Sequence, residues 1–291
     1  MTTAIVTDSN VSLPANVLEG LPIFSVPLEI HHDGEVYRDG IDITPTQFYE
    51  LQRKATHLPT TSAPQPGAFV EAFTRAAETA EEIICLTLSA ELSATHAAAL
   101  VARDTFLGSM PTMRPTTRIE VVDSRCAGTA QGLVALAAAR MAREGASADS
   151  ILLNIGHWRS TVRLYGYLDS LYYVWRGGRV PRALMWMGKL LDVKPVLQLS
   201  DGKIGMVERP RTQRRAMDRL VALATQAAGE AQTRVAVMHA AAPEQAQILA
   251  QRLRDEIAPD ELFITEFTPV IGAHTGPGLV GCAIFRIDSP A

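Results

Sequence analysis

The chain has 291 residues, of which 47% are hydrophobic and 20% are charged. It is therefore long enough for two lobes and too apolar to be intrinsically disordered. Its 27 basic and 31 acidic side chains nearly balance, which argues against a global attraction to nucleic acid or to an anionic membrane surface. Any anion site must be local.

The N-terminus and the cysteines indicate a cytoplasmic protein. "MTTAIVTDS" lacks the basic region of a signal peptide, and no apolar run reaches the ~18 residues that span a bilayer, so no stable membrane insertion is expected. Cys85, Cys126 and Cys282 lie in apolar contexts and form no CxxC pair. We expect them to be reduced thiols in the core.

Strands and helices alternate through the first half of the chain. Apolar runs at 4–9, 83–89 and 118–124 predict short strands, and amphipathic or alanine-rich runs at 13–20, 66–82, 96–108 and 128–145 predict helices. Helices between short buried strands favour a mostly parallel sheet that is covered on both faces.

The second half shows an antiparallel component. Two strand-like runs within 192–212 are joined by Ser200-Asp201-Gly202, which predicts a hairpin. A helix at 213–229, a strand at 233–239, a helix at 243–257 and a final pair of strands follow. The prediction is α/β throughout, with a mixed sheet in the second lobe and lobes at 1–157 and 158–291.

Two strands end in the same dipeptide, "IVTDSN" at 5–10 and "EVVDSR" at 120–125. Ligands of α/β sheets bind at the carboxyl ends of strands, so Asp8 and Asp123 are candidate catalytic aspartates. The favoured interpretation is that they cap helices and tie down loop backbone. Neither has a second acidic residue at metal-ligand spacing, so no metal site is predicted.

Two segments display hydroxyl groups. Residues 60–62 are Thr-Thr-Ser, and Pro64 and Pro66 stiffen the loop that follows. Ser93 is the predicted N-cap of the helix at 96–108, and a helix N-terminus suits an anion. From spacing alone, the plainer interpretation is favoured: Thr61 is a loop hydroxyl and Ser93 only caps its helix.

The glycine-rich stretch "VIGAHTGPGLVGCAIF" at 270–285 must bring its backbone close to another group. It contains no lysine in its "HTGPG" turn, and the chain has no GxxxxGK[ST] motif, which argues against a nucleotide loop. His274 is a candidate catalytic base, but no Ser, Cys or carboxylate lies beside it in sequence to form a dyad. A lone histidine is more commonly structural.

Eight short motifs follow one another along nearly the whole chain. In order they are "IVTDSNVSLP" (5–14), "TTSAP" (60–64), "LSAELSATH" (88–96), "VVDSR" (121–125), "LDSLYYVWRGGRV" (168–180), "LLDVKPVLQLSDGKI" (190–204), "RPRT" (209–212) and "HTGPGLVG" (274–281). Each is weak alone, but the ordered set is specific. It resembles the signatures of the DegV family.

The resemblance implies a DegV-like fold of two α/β lobes that enclose one long-chain fatty acid, such as palmitate or oleate. No other cofactor is implied. The apolar stretch "ALMWMGKLL" at 183–191 is a candidate lining of the tunnel for the acyl chain. The residues implied to bind or surround the carboxylate are Thr61, Ser93, Ser62, Ala94 and His274.

Such proteins are similar to the substrate-binding subunit of bacterial fatty acid kinase. The implied function is non-catalytic: the chain presents the acyl carboxylate to a separate ATP-using kinase subunit, which makes acyl phosphate. The alternative from the residues is a stand-alone phosphoryl-transfer or hydrolytic enzyme that uses Asp8, Asp123 and His274. The lack of a nucleotide loop or metal cluster in the sequence argues against that alternative.

Four arginines of the second lobe form a candidate docking surface for the kinase subunit. A solvated basic face is the alternative, because exposed charge pairs typically contribute only ~0 to 1 kcal/mol. The arginines are Arg176, Arg179, Arg209 and Arg211.

The chain departs from the usual family pattern at Ala94 and His96, where Gly and Tyr are commoner.

Overall fold

The computed structural model describes residues 2–109, 118–179 and 193–287. The candidate tunnel segment at 183–191 lies outside the described residues. The first half contains, in chain order, β1 (Thr3–Asp8), a 3-10 turn (Ser9–Val11), α1 (Ala15–Leu18), β2 (Ile23–Val26), β3 (Glu29–His32), β4 (Glu35–Arg38), α2 (Pro45–Lys54), β5 (Thr60–Ser62), α3 (Pro66–Ala77), β6 (Glu82–Thr87), α4 (Thr95–Ser109), β7 (Arg118–Asp123), α5 (Gly128–Arg143) and α6 (Ala148–Thr161).

The second half carries the remaining elements. It contains β8 (Arg163–Tyr167), α7 (Tyr172–Gly177), β9 (Val196–Ser200), β10 (Lys203–Glu208), α8 (Gln213–Ala228), β11 (Thr233–His239), α9 (Pro243–Ile257), β12 (Glu261–Glu266), α10 (Pro269–Thr275) and β13 (Val280–Arg286). Within the three described ranges, every helix is too short or too polar to cross a bilayer.

A four-stranded parallel sheet in the order β2-β1-β6-β7 forms the centre of the first half. Successive side chains of a strand point to opposite faces. Ala4 and Val6 pack against α3 and α4, whereas Ile5 packs against α5 and α6. Because both faces are covered, the strands read as nearly continuous apolar runs, and the predicted parallel sheet is confirmed.

A small antiparallel sheet in the order β4-β3-β5 branches from the first half. The sequence pattern did not predict this sheet, although Asp33-Gly34 between β3 and β4 is a hairpin signal. Both residues have positive φ, at 49° and 85°. The sheet positions one of the candidate site residues, because Thr61, in the middle of β5, is paired with Ile30 of β3.

A six-stranded mixed sheet in the order β10-β9-β8-β13-β11-β12 forms the second half. β11 and β12 are parallel and the other neighbours are antiparallel. The mixed sheet is therefore confirmed. So is the hairpin between β9 and β10, whose turn residues Asp201 and Gly202 have φ of 48° and 79°.

Helix α5 lies between the two large sheets, and its side chains are buried along almost its entire length. The alanines of this helix keep its diameter small, and a Cβ on Gly132 would lie 2.3 Å from the carbonyl oxygen of Val11. Residue 157 lies within α6 rather than in a linker. The division into lobes at 157 and 158 stays a prediction.

The three cysteines are free and buried, as the sequence predicts. Burial raises the pKa of both Cys126 and Cys282 to about 12. These thiols therefore stay protonated at neutral pH and behave as core side chains.

Candidate functional site

A cavity of about 110 Å³, which we call the inner cavity, brings together several of the predicted site residues. It lies where the loops after β1 and β6 meet β5, β10 and α10. Thr61, Ser62, Ser93 and His274 line it. Ala94 is exposed and is not among the lining residues, so its proposed place near a ligand stays a prediction.

Thr61 and His274 are in direct contact, with 2.7 Å between Thr61 Oγ1 and His274 Nε2. Burial lowers the pKa of His274 to about 4, and the positive charge of Arg179 lowers it further. The imidazole is therefore neutral at pH 7. Its Nδ1 atom is buried and has no hydrogen-bond partner among the described residues.

The neutral imidazole carries one proton, and its position decides what Thr61 can do. A buried N–H without an acceptor is rarer than a buried acceptor without a donor, which favours the proton on Nε2. His274 then donates to Thr61 Oγ1. The Thr61 hydroxyl hydrogen remains available to donate to a ligand in the inner cavity.

Ser93 precedes α4 by two residues. The amide of Ala98 donates to the carbonyl of Ala94 at 3.0 Å, so Ala94 rather than Ser93 occupies the capping position, and the prediction was wrong by one residue. Ser93 Oγ still accepts from the amide of Thr95 at 3.3 Å and lies 2.9 Å from Thr95 Oγ1. Its hydroxyl therefore lies at a helix N-terminus and lines the cavity.

The hydroxyl of Ser62 already has partners. Ser62 Oγ donates to Glu29 Oε2 at 2.8 Å and lies 2.9 Å from His31 Nε2. Ser62 is directly opposite Glu29 in the ladder between β3 and β5. Its predicted role at the carboxylate stays a prediction, and the described contacts tie its side chain to β3.

Asp8 and Asp123 hold loop backbone. Fully buried Asp8 accepts from the amides of Leu88 at 2.7 Å and Asn10 at 3.2 Å, and burial raises its pKa to about 6. Asp123 Oδ1 accepts from the amide of Arg125 at 2.8 Å. The loop-tying interpretation is confirmed. Neither aspartate is among the residues lining the inner cavity with His274.

An apolar cavity of about 110 Å³ adjoins the inner cavity. The two share Leu92, Ala127, Ile204, Ile271 and Thr275, so an almost entirely apolar path leads away from the hydroxyl groups. The lining of the apolar cavity was not predictable from sequence pattern, because its side chains come from separate strands and helices. The apolar cavity is lined among others by Leu164, Leu168, Val174, Leu197, Met238, Phe267 and Leu279.

The glycines of the "HTGPG" turn allow close packing within the second half. Gly276 and Gly278 have φ of +71° and +87°; a Cβ on Gly276 would lie 2.0 Å from the ring of Tyr173, and one on Gly278 2.7 Å from Asp169. The close backbone approach predicted for this stretch is therefore made, at these two glycines, to other parts of the second half. Gly272 in the same stretch approaches the first half, where a Cβ on it would lie 2.7 Å from the hydroxyl oxygen of Tyr49 in α2.

A third cavity, which we call the outer cavity, has a volume of about 280 Å³ and is lined by polar groups that include His57, Thr60, Arg176 and Arg179. Arg209 and Arg211 are not among its lining residues; Arg209 Nε lies 2.9 Å from Met206 Sδ. The structure therefore brings two of the four candidate docking arginines together in this cavity. No group of three or more potential metal ligands occurs among the described residues.

The fold and cavities define an α/β protein with an apolar pocket that ends in hydroxyl groups. The model of the DegV family, described as "Uncharacterised protein, DegV family", matches residues 2–286. The chain belongs to the DegV family, as the ordered motifs predicted.

Relatives match over nearly their whole length. A DegV domain-containing protein of Streptomyces coelicolor is 39% identical over 283 residues, covering 97% of each chain. The structure of a fatty-acid-binding DegV family protein from Thermus thermophilus is 30% identical with a TM-score of 0.90, covering 99% of this chain and 100% of the other. DegV of Bacillus subtilis, described as a fatty acid binding protein, is 31% identical with a TM-score of 0.87, covering 98% and 99%.

Proposed function

We propose that the protein binds one long-chain fatty acid, such as palmitate or oleate. The acyl chain lies in the apolar cavity and the carboxylate in the inner cavity. Thr61 and Ser93 donate to the carboxylate, and Ser62, Ala94 and His274 surround it. The observation that carries the proposal is the Thr61–His274 contact of 2.7 Å at the polar end of an apolar path.

The energetics support this assignment. Burying about 14 methylenes at ~0.8 kcal/mol each contributes roughly 11 kcal/mol. Immobilisation of the ligand and desolvation of its head group offset much of this, but micromolar or tighter binding is still expected. The relatives from Thermus thermophilus and Bacillus subtilis are described as fatty-acid-binding proteins. They are 30% and 31% identical in sequence to this chain and align with it over nearly its whole length.

The proposed role of the bound lipid is that of a presented substrate. Hydroxyl donors hold the carboxylate without an ion pair to lysine, which leaves an oxygen available to accept a phosphoryl group. A separate ATP-using kinase subunit supplies that group, and this chain is non-catalytic. The proposed docking surface for the kinase carries Arg176, Arg179, Arg209 and Arg211, because charged rims chiefly accelerate and orient association.

Lipid extraction tests the binding step. Protein purified from a bacterial host, denatured and analysed by mass spectrometry, is expected to release a saturated or monounsaturated fatty acid in about a one-to-one ratio. Delipidated protein is expected to take up added palmitate or oleate. Repeated preparations with no extractable lipid and no uptake would contradict the proposal.

A reconstituted reaction tests presentation to the kinase. With a cognate kinase subunit and ATP, Arg211→Glu is expected to slow acyl phosphate formation, and the difference from the wild type is expected to shrink as salt screens the charges. Fatty acid loading is measured in the same samples, so a loading defect is recognised. Equal rates across the salt series would place the docking surface elsewhere.

A further inference from the structure

A fourth cavity, which we call the acidic cavity, lies beside the loop that follows β1. Its volume is about 710 Å³, and small-molecule sites typically occupy ~300 to 1,000 Å³. None of its described lining residues lines the apolar, inner or outer cavity. In the 3-10 turn after β1, Ser9 and Val11 line the acidic cavity and Asn10 lines the inner cavity. The acidic cavity is therefore separate from the proposed fatty-acid site.

The acidic cavity carries negative charge. Asp39 and Glu19 line it, and no lysine, arginine or histidine is among its lining residues in the described parts of the chain. Glu19 is exposed at the end of α1, whereas Asp39 is only 2% exposed. Solvent ions screen a buried charge much less than an exposed one. A cation that enters the cavity is therefore attracted mainly by Asp39.

The protein satisfies only one oxygen of the Asp39 carboxylate. Oδ2 accepts from the hydroxyl of Ser9 at 2.6 Å, and Ser9 Oγ in turn accepts from the amide of Leu28 at 3.1 Å. Oδ1 is buried and makes no well-formed hydrogen bond to the described residues, and the same holds for the hydroxyl of Thr268, which also lines the cavity.

The pKa of Asp39 reflects these surroundings. Burial raises it to about 6, and the charge of Asp8 raises it further. The hydroxyls of Ser9 and Thr268 and the backbone of Val270 lie close enough to offset part of the shift. The carboxylate is therefore mostly ionised at pH 7, and a positively charged ligand would stabilise it.

The rest of the lining is mostly apolar. Its apolar members are Val11, Leu13, Leu18, Ile23, Pro27 and Ile41. Ile41 is 60% exposed, so part of this apolar surface faces solvent. A metal ion would leave these side chains uncovered, and no group of three or more potential metal ligands occurs among the residues that the structure describes. The ligand that matches the cavity has an apolar body and a single positive charge.

We propose that the acidic cavity binds a small organic cation, namely an amine whose ammonium group is attached to an apolar body. The ammonium group lies against Asp39 and donates to Oδ1, and the apolar body covers Val11, Leu18 and Ile23. Ammonium is a point donor, whereas the planar guanidinium group pairs with both oxygens of a carboxylate. Because Ser9 already occupies Oδ2, the site favours ammonium.

Three indole compounds that differ in one group test the site. Tryptamine carries an ammonium group, tryptophol a hydroxyl and indole-3-propionate a carboxylate. NMR titration of the full-length protein, followed at the amides of Ser25 and Gly40 in the cavity lining, gives the dissociation constants. For tryptamine we expect a value on the order of 0.1 to 1 mM, as for other ligands of this size.

The charge of the ligand decides the outcome. Tryptamine is expected to bind about tenfold or more tightly than tryptophol, because a hydrogen bond between charged groups is stronger than a neutral one. Indole-3-propionate is expected to cause no saturable shift. Equal affinity for tryptamine and tryptophol, or tighter binding of indole-3-propionate, would overturn the proposal.

Asp39→Asn keeps the shape of the side chain and removes its charge. It is expected to reduce the preference for tryptamine over tryptophol to about threefold or less. Glu50→Gln is the matched control, since it removes an exposed carboxylate of α2 that does not line the cavity. It is expected to keep the preference of the wild type. An equal change in both variants would reduce the effect to net charge and overturn the site.

Ala15→Phe is a second test that leaves Asp39 in place. Ala15 is exposed at the start of α1 and lines the cavity, so the larger side chain fills part of the space. The variant is expected to weaken tryptamine and tryptophol alike by about tenfold, through steric exclusion. Wild-type affinity would overturn the proposal, even if Asp39→Asn does not fold.

Palmitate shows whether the amine occupies the acidic cavity or the fatty-acid site. Tryptamine is expected to bind with the same affinity in the presence and absence of saturating palmitate, because the cavities share no described lining residue. Displacement of tryptamine by palmitate would place the amine in the fatty-acid site and overturn the proposal. If palmitate itself does not bind, the proposed function fails, and the variants of Asp39 and Ala15 still decide the amine site.

Discussion

Asp8 and His274 are two desolvated titratable groups whose pKa values shift in opposite directions and whose hydrogen-bond partners differ. Burial raises the pKa of Asp8 to about 6 and lowers that of His274 to about 4. Asp8 accepts from two backbone amides and from the side-chain amide of Gln131 at 3.2 Å. His274 contacts only Thr61 among the hydrogen-bond partners described, and its Nδ1 has none.

The difference shows how a structural polar group can be told from a ligand-binding one. A shifted pKa marks both, because both are desolvated. What separates them is hydrogen-bond capacity: the donors around Asp8 are used by the protein, whereas the Thr61 hydroxyl beside His274 keeps a hydrogen to donate. Its position at the end of a strand made Asp8 a candidate functional group, although the loop-tying interpretation was favoured, and the contacts favour Thr61 and His274.

The largest expected effect is on stability, from Asp8→Ala. The variant leaves the amides of Leu88 and Asn10 buried without an acceptor, at about 1 to 3 kcal/mol each. The free energy of unfolding, measured in urea, is expected to fall by about 3 kcal/mol or more. Asp123→Ala, at a partly exposed position, is expected to cost only about 1 kcal/mol. If Asp8→Ala is as stable as the wild type, Asp8 is not needed for the fold and is again a candidate functional residue.

The next largest effect is a pH dependence that comes from His274. The unfolded chain protonates this side chain below about pH 6.5, but the folded protein does so only below about pH 4. The stability it contributes is therefore present above pH 6.5 and lost as the pH falls toward 4, by at most ~1.4 kcal/mol per pH unit.

His274→Gln isolates this contribution. Between pH 7 and pH 4.5, the unfolding free energy of the wild type is expected to fall relative to the variant by about 2 kcal/mol. The unfolding free energies of the two proteins must be subtracted because Asp8 and Asp39 also titrate in this range, with pKa values raised to about 6. Their effect has the opposite sign: the stability that they contribute decreases as the pH rises from about 4 to 6. Parallel curves for the two proteins would mean that His274 titrates normally.

The sequence predicted those parts of the fold that follow from local pattern. The strands β1, β6 and β7 each contain a short apolar run, and Asp201-Gly202 forms the turn of the hairpin between β9 and β10. The Thr61–His274 contact joins residues 213 positions apart, and no spacing rule reaches that far. The family motifs identified both residues, but the partners of Ser62 and the lining of the apolar cavity became visible only when separate elements packed together.

Removal of the Thr61 or Ser93 hydroxyl tests whether each of them donates to the carboxylate. Thr61→Val and Ser93→Ala are each expected to weaken palmitate binding by about 1.5 to 3 kcal/mol, roughly ten- to a hundredfold, because a hydrogen bond to a charged group is lost. Thr61→Ser keeps the hydroxyl and is the matched control. If Ser93→Ala instead lowers stability by about 1 kcal/mol with unchanged affinity, Ser93 serves only the start of α4.

Ser62→Ala is expected to have the smallest effect on binding, although Ser62 is the neighbour of Thr61. Adjacent residues of a strand point to opposite faces, and the Ser62 hydroxyl is donated to Glu29 at 2.8 Å. The variant is expected to lower the free energy of unfolding by about 1 kcal/mol and to change palmitate affinity much less than Thr61→Val does. Glu29→Gln provides the control, since it weakens the same contact without touching β5. If Ser62→Ala loses as much palmitate affinity as Thr61→Val, the palmitate carboxylate competes successfully with Glu29 for the Ser62 hydroxyl. In that case ligand binding redirects a hydrogen bond that the protein already makes.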